Sequence, residues 1–419
     1  MIRKPIFMLL ALMSLFFGCT QKELDDTGIS APDTGDVPVT FLAAANSQTR
    51  GTSMSGTLNE DASFRVYATK QRKEGNDLVD QPTYYIRGTG DDDIVTYQRI
   101  AVTGAEQYRW VWKTARDYFW PQENYFVQFY AVHPASAPVI ADILANKSFT
   151  YDQTNPYDGN HDLMWATAAT TRESKGDGSF KDANDNTNST VKLQFHHVLS
   201  QIAFYGKLSQ LFKDWGWTVE VGGITICNVN GGGTGTFQSK PYAAPHDPDT
   251  LIFTAAEEAV PCNYTMAMNT GHLTVSSTTV AKDDANKDIP LTSPTDVTMV
   301  IPQNPTAWIP VSQGTQEKPG STISATTGCY LAISMRIYDV DNYYHLGSAD
   351  SYDTVYVPFE TGVYYMYDQI SWQAETKYRY TLEFGGGYDA SGESVIHPMS
   401  ITTAIQPWDS ATIDSEAKH

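Results

Sequence analysis

Residues 191–204 read Val-Lys-Leu-Gln-Phe-His-His-Val-Leu-Ser-Gln-Ile-Ala-Phe, and this stretch decides the fold class. Apolar side chains occupy alternate positions up to Leu199, which is the pattern of a strand with one buried face. The apolar positions then change parity at Ile202 and Phe204. Because such a change turns the other face of a strand inward, we expect a bulge or kink near Ser200.

Similar short apolar stretches follow one another along the chain, separated by Gly, Asp, Asn and Pro. They include residues 64–68, 84–87, 108–113, 125–133 and 378–384. Their spacing predicts an all-β protein built from antiparallel sandwiches with little helix. The best helix candidate spans residues 137–147. Its apolar face would comprise Val139, Ile140, Ile143 and Leu144.

Length and composition divide the chain into two β domains. Residues 171–190 are mostly Lys, Asp, Asn, Gly, Ser and Thr, as in a solvated linker or long loop. The 419 residues are enough for two hydrophobic cores. We therefore predict domains at 51–185 and 186–410, followed by a polar tail at 411–419.

The first residues have the features of an export signal. Two basic residues, Arg3 and Lys4, precede a largely apolar segment at 6–17, which is too short to span a membrane. Gly18 and Cys19 follow, and lipoprotein processing requires a thiol directly after a small residue. We expect a signal peptide ending at Gly18 and a lipid on Cys19. The alternative is an ordinary cleaved signal with a chance cysteine.

Charge and cysteine content exclude several classes of partner and site. Asp and Glu number 48 against 28 Lys and Arg, which gives a net charge of −20. So negative a surface argues against nucleic acid and anionic membranes as partners. Cys227, Cys262 and Cys329 match no zinc spacing and are expected to be small buried hydrophobes, although one disulfide is possible by count.

Residues that carry chemistry are few. His196 and His197 point to opposite faces of a strand and cannot share a metal, so His197 is expected to be a hydrogen-bonded core residue. Acidic runs at 91–93, 182–185 and 339–342 lack the EF-hand spacing and are expected to be solvated turns. The sequence therefore predicts no enzyme, no cofactor and no metal.

Tryptophan side chains leave two readings open. Core packing of a sandwich is one, and a sugar-binding platform is the other. The residues concerned are Trp110, Trp112, Trp215, Trp217 and Trp372.

An isolated strand is predicted near the start of the mature chain, at residues 37–45. Val37, Val39 and Phe41 alternate onto one face, and Ala43 continues the pattern. Pro38 cannot donate a ladder hydrogen bond, so the strand lies at an edge or begins just after this residue.

Several short motifs follow one another in a specific order along the chain. They are Tyr118-Phe119-Trp120-Pro121, Phe129-Tyr130-Ala131, Asp162-Leu163-Met164-Trp165-Ala166, Leu193-x-Phe195-x-His197-x-Leu199-Ser200-x-Ile202, Met299-Val300-Ile301-Pro302-Gln303, Tyr378-x-Tyr380-Thr381-Leu382 and Ile405-x-Pro407-Trp408. Together they resemble the fimbrillin-like proteins, the pilus subunits of gut and oral anaerobes, and the resemblance covers most of residues 40–410.

The resemblance implies two transthyretin-like antiparallel β-sandwich domains in tandem and a surface-exposed lipoprotein of the outer membrane. In this family an arginine-specific surface protease removes the first strand, and a strand of another subunit then fills the groove. The implied partners are other pilus subunits, that protease, the outer membrane through the lipid and a host glycan or protein. After processing, the location would be the fimbrium.

Particular residues fit these roles. The resemblance implies cleavage between Arg50 and Gly51, which would release residues 19–50, although Arg50 also reads as an ordinary surface arginine. The implied donor strand lies near the C-terminus, with an apolar face of Met399, Ile401, Thr403 and Ile405. A permanently anchored, glycan-binding surface lipoprotein is the alternative function.

Overall fold

The computed structural model describes residues 39–407 except for internal gaps. These are 46–55, 59, 75–76, 102–107, 122–124, 154–161, 172, 176–178, 182–189, 239–248, 257–260, 272, 277–287, 295, 309–327, 360, 364–365, 369 and 386–397. Within this part the protein is almost entirely β, as predicted. Neither of the helices found there is long and apolar enough to cross a membrane.

The first thirteen strands and a short helix cover the N-terminal half. They are β1 (Thr40–Ala45), β2 (Gly56–Thr57), β3 (Ser63–Glu74), β4 (Asp77–Ile86), β5 (Ile94–Ala101), β6 (Tyr108–Thr114), β7 (Tyr125–His133), β8 (Val139–Asp142), α1 (Ile143–Asn146), β9 (Ser148–Asp152), β10 (Met164–Thr171), β11 (Glu173–Lys175), β12 (Ser179–Lys181) and β13 (Thr190–His197).

The C-terminal half follows without a long break. Its elements are β14 (Ser200–Leu208), α2 (Gln210–Trp215), β15 (Thr218–Asn230), β16 (Gly232–Gln238), β17 (Thr250–Ala255), β18 (Pro261–Thr265), β19 (Thr274–Ser276), β20 (Ile289–Pro290), β21 (Thr298–Val300), β22 (Tyr330–Tyr338), β23 (Tyr344–Leu346), β24 (Asp353–Pro358), β25 (Thr361–Val363), β26 (Met366–Asp368), β27 (Thr376–Phe384) and β28 (Pro398–Pro407).

One sheet of the N-terminal half closes on itself. Its strands run in the order β13-β10-β7-β3-β5-β6-β1, and a further pairing joins β1 back to β13. The interior holds the aromatic side chains of Phe41, Phe64, Trp112, Phe129 and Phe195, all of them buried. A closed sheet leaves no exposed edge around this core.

Two sheets of the C-terminal half form a sandwich. One has β14 and β27 at its centre, and the other has β15 and β22. Side chains of both sheets meet in one apolar cluster that includes Phe204, Ile224, Ile333 and Tyr380. Alternation along β14 and β22, where every second side chain is buried, produces this core.

A third sheet joins the two halves of the chain. Its order is β17-β16-β9-β8, so two N-terminal strands pair with two C-terminal ones. The inner face of this sheet, with Phe149 and Phe237, packs against Tyr67 and Tyr130 on the outside of the closed sheet. The halves therefore share both hydrogen bonds and a core.

Strand β13 is hydrogen-bonded within the first half of the chain. The predicted second domain, 186–410, includes its residues, whereas β13 pairs with β10 and with β1. The predicted kink near Ser200 marks the point where the chain passes from the closed sheet to the sandwich. The domain limits stay a prediction. In the expected linker at 171–190, β11 and β12 form a small antiparallel hairpin.

The helix predicted at 137–147 was wrong for most of its length. Residues 139–142 form β8, which pairs with β9, and only Ile143–Asn146 are helical. Ile140, expected on a buried helical face, is 78% exposed. Pairing with β9 imposes a period of two on this short apolar run, and a helical pattern of this length cannot be told from it.

Candidate functional site

The candidate site is β1 and the slot that it fills in the closed sheet. Val39, Phe41 and Ala43 point inward and are 4%, 2% and 0% exposed. The alternation predicted for this segment is confirmed for these three residues. Val37 lies outside the described residues.

The ring of Phe41 occupies the middle of the slot. Its centroid lies 6.1 Å from that of Phe64 and 5.9 Å from that of Phe129, and both contacts are edge-to-face. Aromatic pairs in this geometry add about 0.5–1.5 kcal/mol beyond the area they bury. Phe41 is therefore the main anchor of β1.

Backbone pairing holds β1 unequally on its two sides. Six residue pairs join it in parallel to β13, from Thr40 opposite Thr190 to Ala45 opposite Phe195. On the other side, β6 pairs at one position only, Phe41 with Trp112, and β2 pairs at two. The β1 strand is thus interior and begins just after Pro38, which is the second of the two possibilities that this proline left open.

Two further hydrogen bonds fix the ends of β1. The N–H of Val39 donates to the carbonyl oxygen of Tyr118 over 2.7 Å, and the N–H of Leu58 donates to that of Ala43 over 3.2 Å. Without β1, the ladder edges of β13 and β6 would face an apolar slot. An extended chain of suitable sequence can satisfy both the backbone and the slot.

The processing residues predicted from sequence fall outside the described part of the chain. Cys19, Arg50 and Gly51 are among them, so their geometry carries no argument. Arg50 and Gly51 belong to the connection between the end of β1 at Ala45 and the start of β2 at Gly56.

The candidate donor strand is β28, which pairs with β27 over nine residue pairs. Ile401 on its predicted apolar face is 4% exposed, whereas Ile405 on the same face is 64% exposed. On that side β28 pairs with its described neighbour β25 at Ile401. Met399 and Thr403 lie in the strand on the same parity by sequence.

The histidine pair has a structural role, as expected. His197 is 9% exposed, and its Nδ1 lies 2.7 Å from the carboxylate of Asp162, which accepts the hydrogen bond. His196, on the opposite face, stacks on Trp165 with a centroid distance of 5.1 Å and bonds to Glu375.

The acidic run at 91–93 and the cysteines make structural contacts within the fold. Asp92 pairs with Arg116, and the buried Asp93 accepts a hydrogen bond from the hydroxyl of Tyr118. Across the ranges that the structure describes, no group of three or more His, Cys, Asp or Glu side chains could hold a metal ion. Residues 182–185 lie outside them. The three downstream cysteines are buried and free, as expected for small apolar residues.

The tryptophans divide between the two roles that the sequence left open. Trp112 and Trp372 are buried, at 4% and 1% exposure. Trp110 and Trp215 are 51% and 43% exposed, and Trp217 stacks on His345 at 3.9 Å. Only the first two are core residues in the strict sense.

Sequence reasoning missed a buried polar centre at Asp249, which is 4% exposed. Its carboxylate accepts hydrogen bonds from the hydroxyl of Tyr130 and from Nζ of Lys147, each 3.0 Å long. Its carbonyl oxygen accepts a hydrogen bond from the hydroxyl of Thr167. These bonds tie β7, β10 and the end of α1 to the residue that precedes β17. No local pattern marks Asp249, because its partners are far away in sequence.

The chain is similar to several solved structures and matches one family model. No curated protein matches the chain. Similar solved structures include a fimbrial protein from Bacteroides vulgatus, with 15% identity, 88% of this chain and 99% of the other covered, and a TM-score of 0.43. A putative cell adhesion protein from Bacteroides uniformis has 13% identity, coverage of 89% and 99%, and a TM-score of 0.34. The tip fimbrial protein Mfa3 from Porphyromonas gingivalis, with a C-terminal truncation, has 9% identity, coverage of 89% and 100%, and a TM-score of 0.32. The model of the fimbrillin-like family matches residues 49–408, and the chain therefore belongs to the fimbrillin-like family.

Proposed function

We propose that this chain is a non-enzymatic structural or adhesive subunit of a cell-surface pilus, assembled by exchange of β1 for a strand of another subunit. Membership of the fimbrillin-like family supports a pilus or adhesion role. The observation that carries the exchange is the position of β1, which closes the sheet with three inward side chains and a single pairing to β6.

Removing β1 creates a strong binding site. Burying a Val or Phe side chain is worth about 1.5–3 kcal/mol, and each ladder hydrogen bond left unmade costs a desolvation penalty. A donor strand recovers both contributions. A slot of this kind binds a matching strand tightly, so at equilibrium few subunits have an empty slot.

Cleavage after Arg50 would free β1 without cutting a described strand. Arg50 lies in the connection that follows Ala45, and Gly51 would become the first residue of the processed subunit. The lipid on Cys19 would then leave with residues 19–50. In this scheme Cys19 delivers the subunit to the outer membrane, and β1 prevents early polymerisation.

The donor in this scheme is β28. Its nine pairs with β27 are lost when it leaves and are replaced by pairs in the slot of a neighbouring subunit. We also propose that the chain forms the two transthyretin-like domains of the family, with limits at 51–185 and 186–410, and that β1 and β13 complete the sheet of the first domain from outside these limits.

N-terminal sequencing of surface material tests the proposal. We expect the processed protein to begin at Gly51 and to form ladders on gels of unboiled samples. The Arg50→Ala variant should remain lipidated, begin at Cys19 and form no ladder. Arg72→Ala, which removes an arginine from β3, is the control and should assemble normally. Ladders from Arg50→Ala equal to those of wild type would rule out this cleavage as the trigger.

Glycan binding is the second candidate function, and the exposed aromatic rings beside α2 favour it. Trp215 is 43% exposed and Tyr343 is 68% exposed, with Trp217 and His345 stacked beneath them. Trp215→Ala should then abolish binding to a neutral glycan array, while Trp110→Ala on β6 should not. Equal binding by both variants would remove this candidate.

A further inference from the structure

The three inward positions of the β1 slot differ in size. Ala43 is 0% exposed, so its methyl group is fully enclosed and a larger side chain would overlap its neighbours. Phe41 fills a space bounded by the rings of Phe64 and Phe129. Val39 is 4% exposed and precedes them. From its N-terminal end the slot therefore accepts a medium, a large and a small side chain.

The sizes of alternate side chains in the candidate donor β28 can be compared with the sizes that the slot accepts. Residues 398–407 read Pro-Met-Ser-Ile-Thr-Thr-Ala-Ile-Gln-Pro. In one register Met399, Ile401 and Thr403 take the three places, and the smallest of them falls at Ala43. A shift by two residues places Thr403 in the Phe41 space and Ile405 at the methyl-sized position. The other parity offers only Ser400, Thr402 and Ala404 and would leave the Phe41 space largely empty.

The same comparison sets the direction of the donor. A donor that runs antiparallel to the present direction of β1 would meet the Ala43 position first, so its small side chain would have to come first in the sequence. The nearest match in β28 is then Thr403, Ile405 and Pro407. Pro407 would then stand at the place of Val39, whose N–H donates to Tyr118. Proline has no N–H to donate.

We propose that the slot selects its donor by this size order, and that β28 of a second copy enters parallel to β13 with Met399, Ile401 and Thr403 at the places of Val39, Phe41 and Ala43. This inference rests on the proposed strand exchange and specifies its partner. It makes the Ala43 position the point of discrimination, because overpacking there cannot relax into solvent.

The test uses the processed chain 51–419 and labelled peptides that span residues 396–408. Binding is followed by fluorescence anisotropy and native mass spectrometry. Ile401→Phe should fill the Phe41 space and bind about tenfold more tightly than the wild-type peptide, and Thr403→Ala should also bind more tightly. Thr403→Phe should bind at least about tenfold more weakly. Thr402→Phe is the matched control on the outward parity and should stay within about twofold of wild type.

The outcomes separate this inference from the exchange itself. Equal binding by the Thr403→Phe and Thr402→Phe peptides would mean that the slot does not discriminate between donors by side-chain size. This inference would then be wrong, whereas strand exchange itself would still stand. Binding of a peptide copying residues 37–45, with none by the wild-type 396–408 peptide, would exclude β28 as donor. If neither peptide binds the processed chain, the proposed exchange fails and the inference with it.

Discussion

At the residue scale, Phe41 decides how firmly β1 is held. Its ring is 2% exposed and touches two other aromatic rings of the same core. Phe41→Ala in the uncleaved chain should lower the free energy of unfolding by about 3–5 kcal/mol, because the deleted ring leaves a cavity between rigid neighbours. Urea unfolding followed by tryptophan fluorescence measures this change.

The control for Phe41→Ala is Trp110→Ala, which truncates a ring that is 51% exposed on the outside of the same sheet. It should cost much less stability. An equal loss for both variants would show that β1 contributes no more to the closed sheet than a surface residue does.

The buried cysteines lead to a prediction about reactivity. Burial raises the pKa of the Cys227 and Cys262 thiols to about 11, and it raises the pKa of Cys329 as well. At pH 8 about one such thiol in a thousand is ionised, and the thiolate is the reactive form. Native chain lacking residues 1–19 should therefore show no fast thiol with a colorimetric disulfide reagent, and three after unfolding in guanidinium. A fast thiol in the native chain would contradict this burial.

Sequence patterns predict the burial of some side chains and not of others. Alternation places Val39 and Phe41 on a buried face, because it depends only on neighbouring residues in the sequence. Asp249 carries no such signal, because its partners Tyr130 and Lys147 lie 119 and 102 residues away in the sequence. A buried acid of this kind becomes visible only when long-range pairing is known.

At the scale of single elements, the packing of the third sheet, β17-β16-β9-β8, depends on a glycine. A Cβ added to Gly235 in β16 would lie 2.6 Å from the ring of Phe149 and 2.9 Å from a methyl carbon of Leu251. Gly235→Ala should therefore destabilise the chain by about 1–3 kcal/mol, since neither neighbour can move without opening the core. Thermal unfolding of the two chains gives the comparison.

Gly271→Ala serves as the control, because its added Cβ would meet only a side-chain oxygen of Asn269 at 3.8 Å. It should leave the melting temperature almost unchanged. A Gly235→Ala chain as stable as this control would mean that the third sheet is packed less tightly around Gly235 than its contacts indicate.

Element type was easier to predict than element partners. The strands at 125–133 and 378–384, which the apolar pattern predicts, correspond to β7 and β27. The helix at 137–147 failed because β8 is only four residues long, and its partner β9 fixed its conformation. Parallel pairing of β1 with β13 could not be foreseen either, because the paired residues, such as Thr40 and Thr190, lie 150 residues apart in the sequence.

At the scale of the whole molecule, strand pairing does not follow the domain limit predicted from composition. The polar stretch at 171–190 predicts a boundary, yet β13, which follows it, completes the closed sheet with β10 and β1. Polar composition reports solvent exposure of a connection and carries no information on which sheet the next strand joins. Strand pairing places the crossing between His197 and Ser200, where the chain leaves the closed sheet for β14.

This crossing point leads to a prediction about fragments. A fragment of residues 20–185 lacks β13, so β1 loses its six-residue parallel partner and the sheet stays open. A fragment of residues 20–199 retains every strand of the closed sheet, although it lacks β16 and β17. We expect cooperative thermal unfolding and slow amide exchange in β1 for the longer fragment, and neither for the shorter one. Cooperative unfolding of the 20–185 fragment would show that β13 is dispensable, and it would support the boundary predicted from composition.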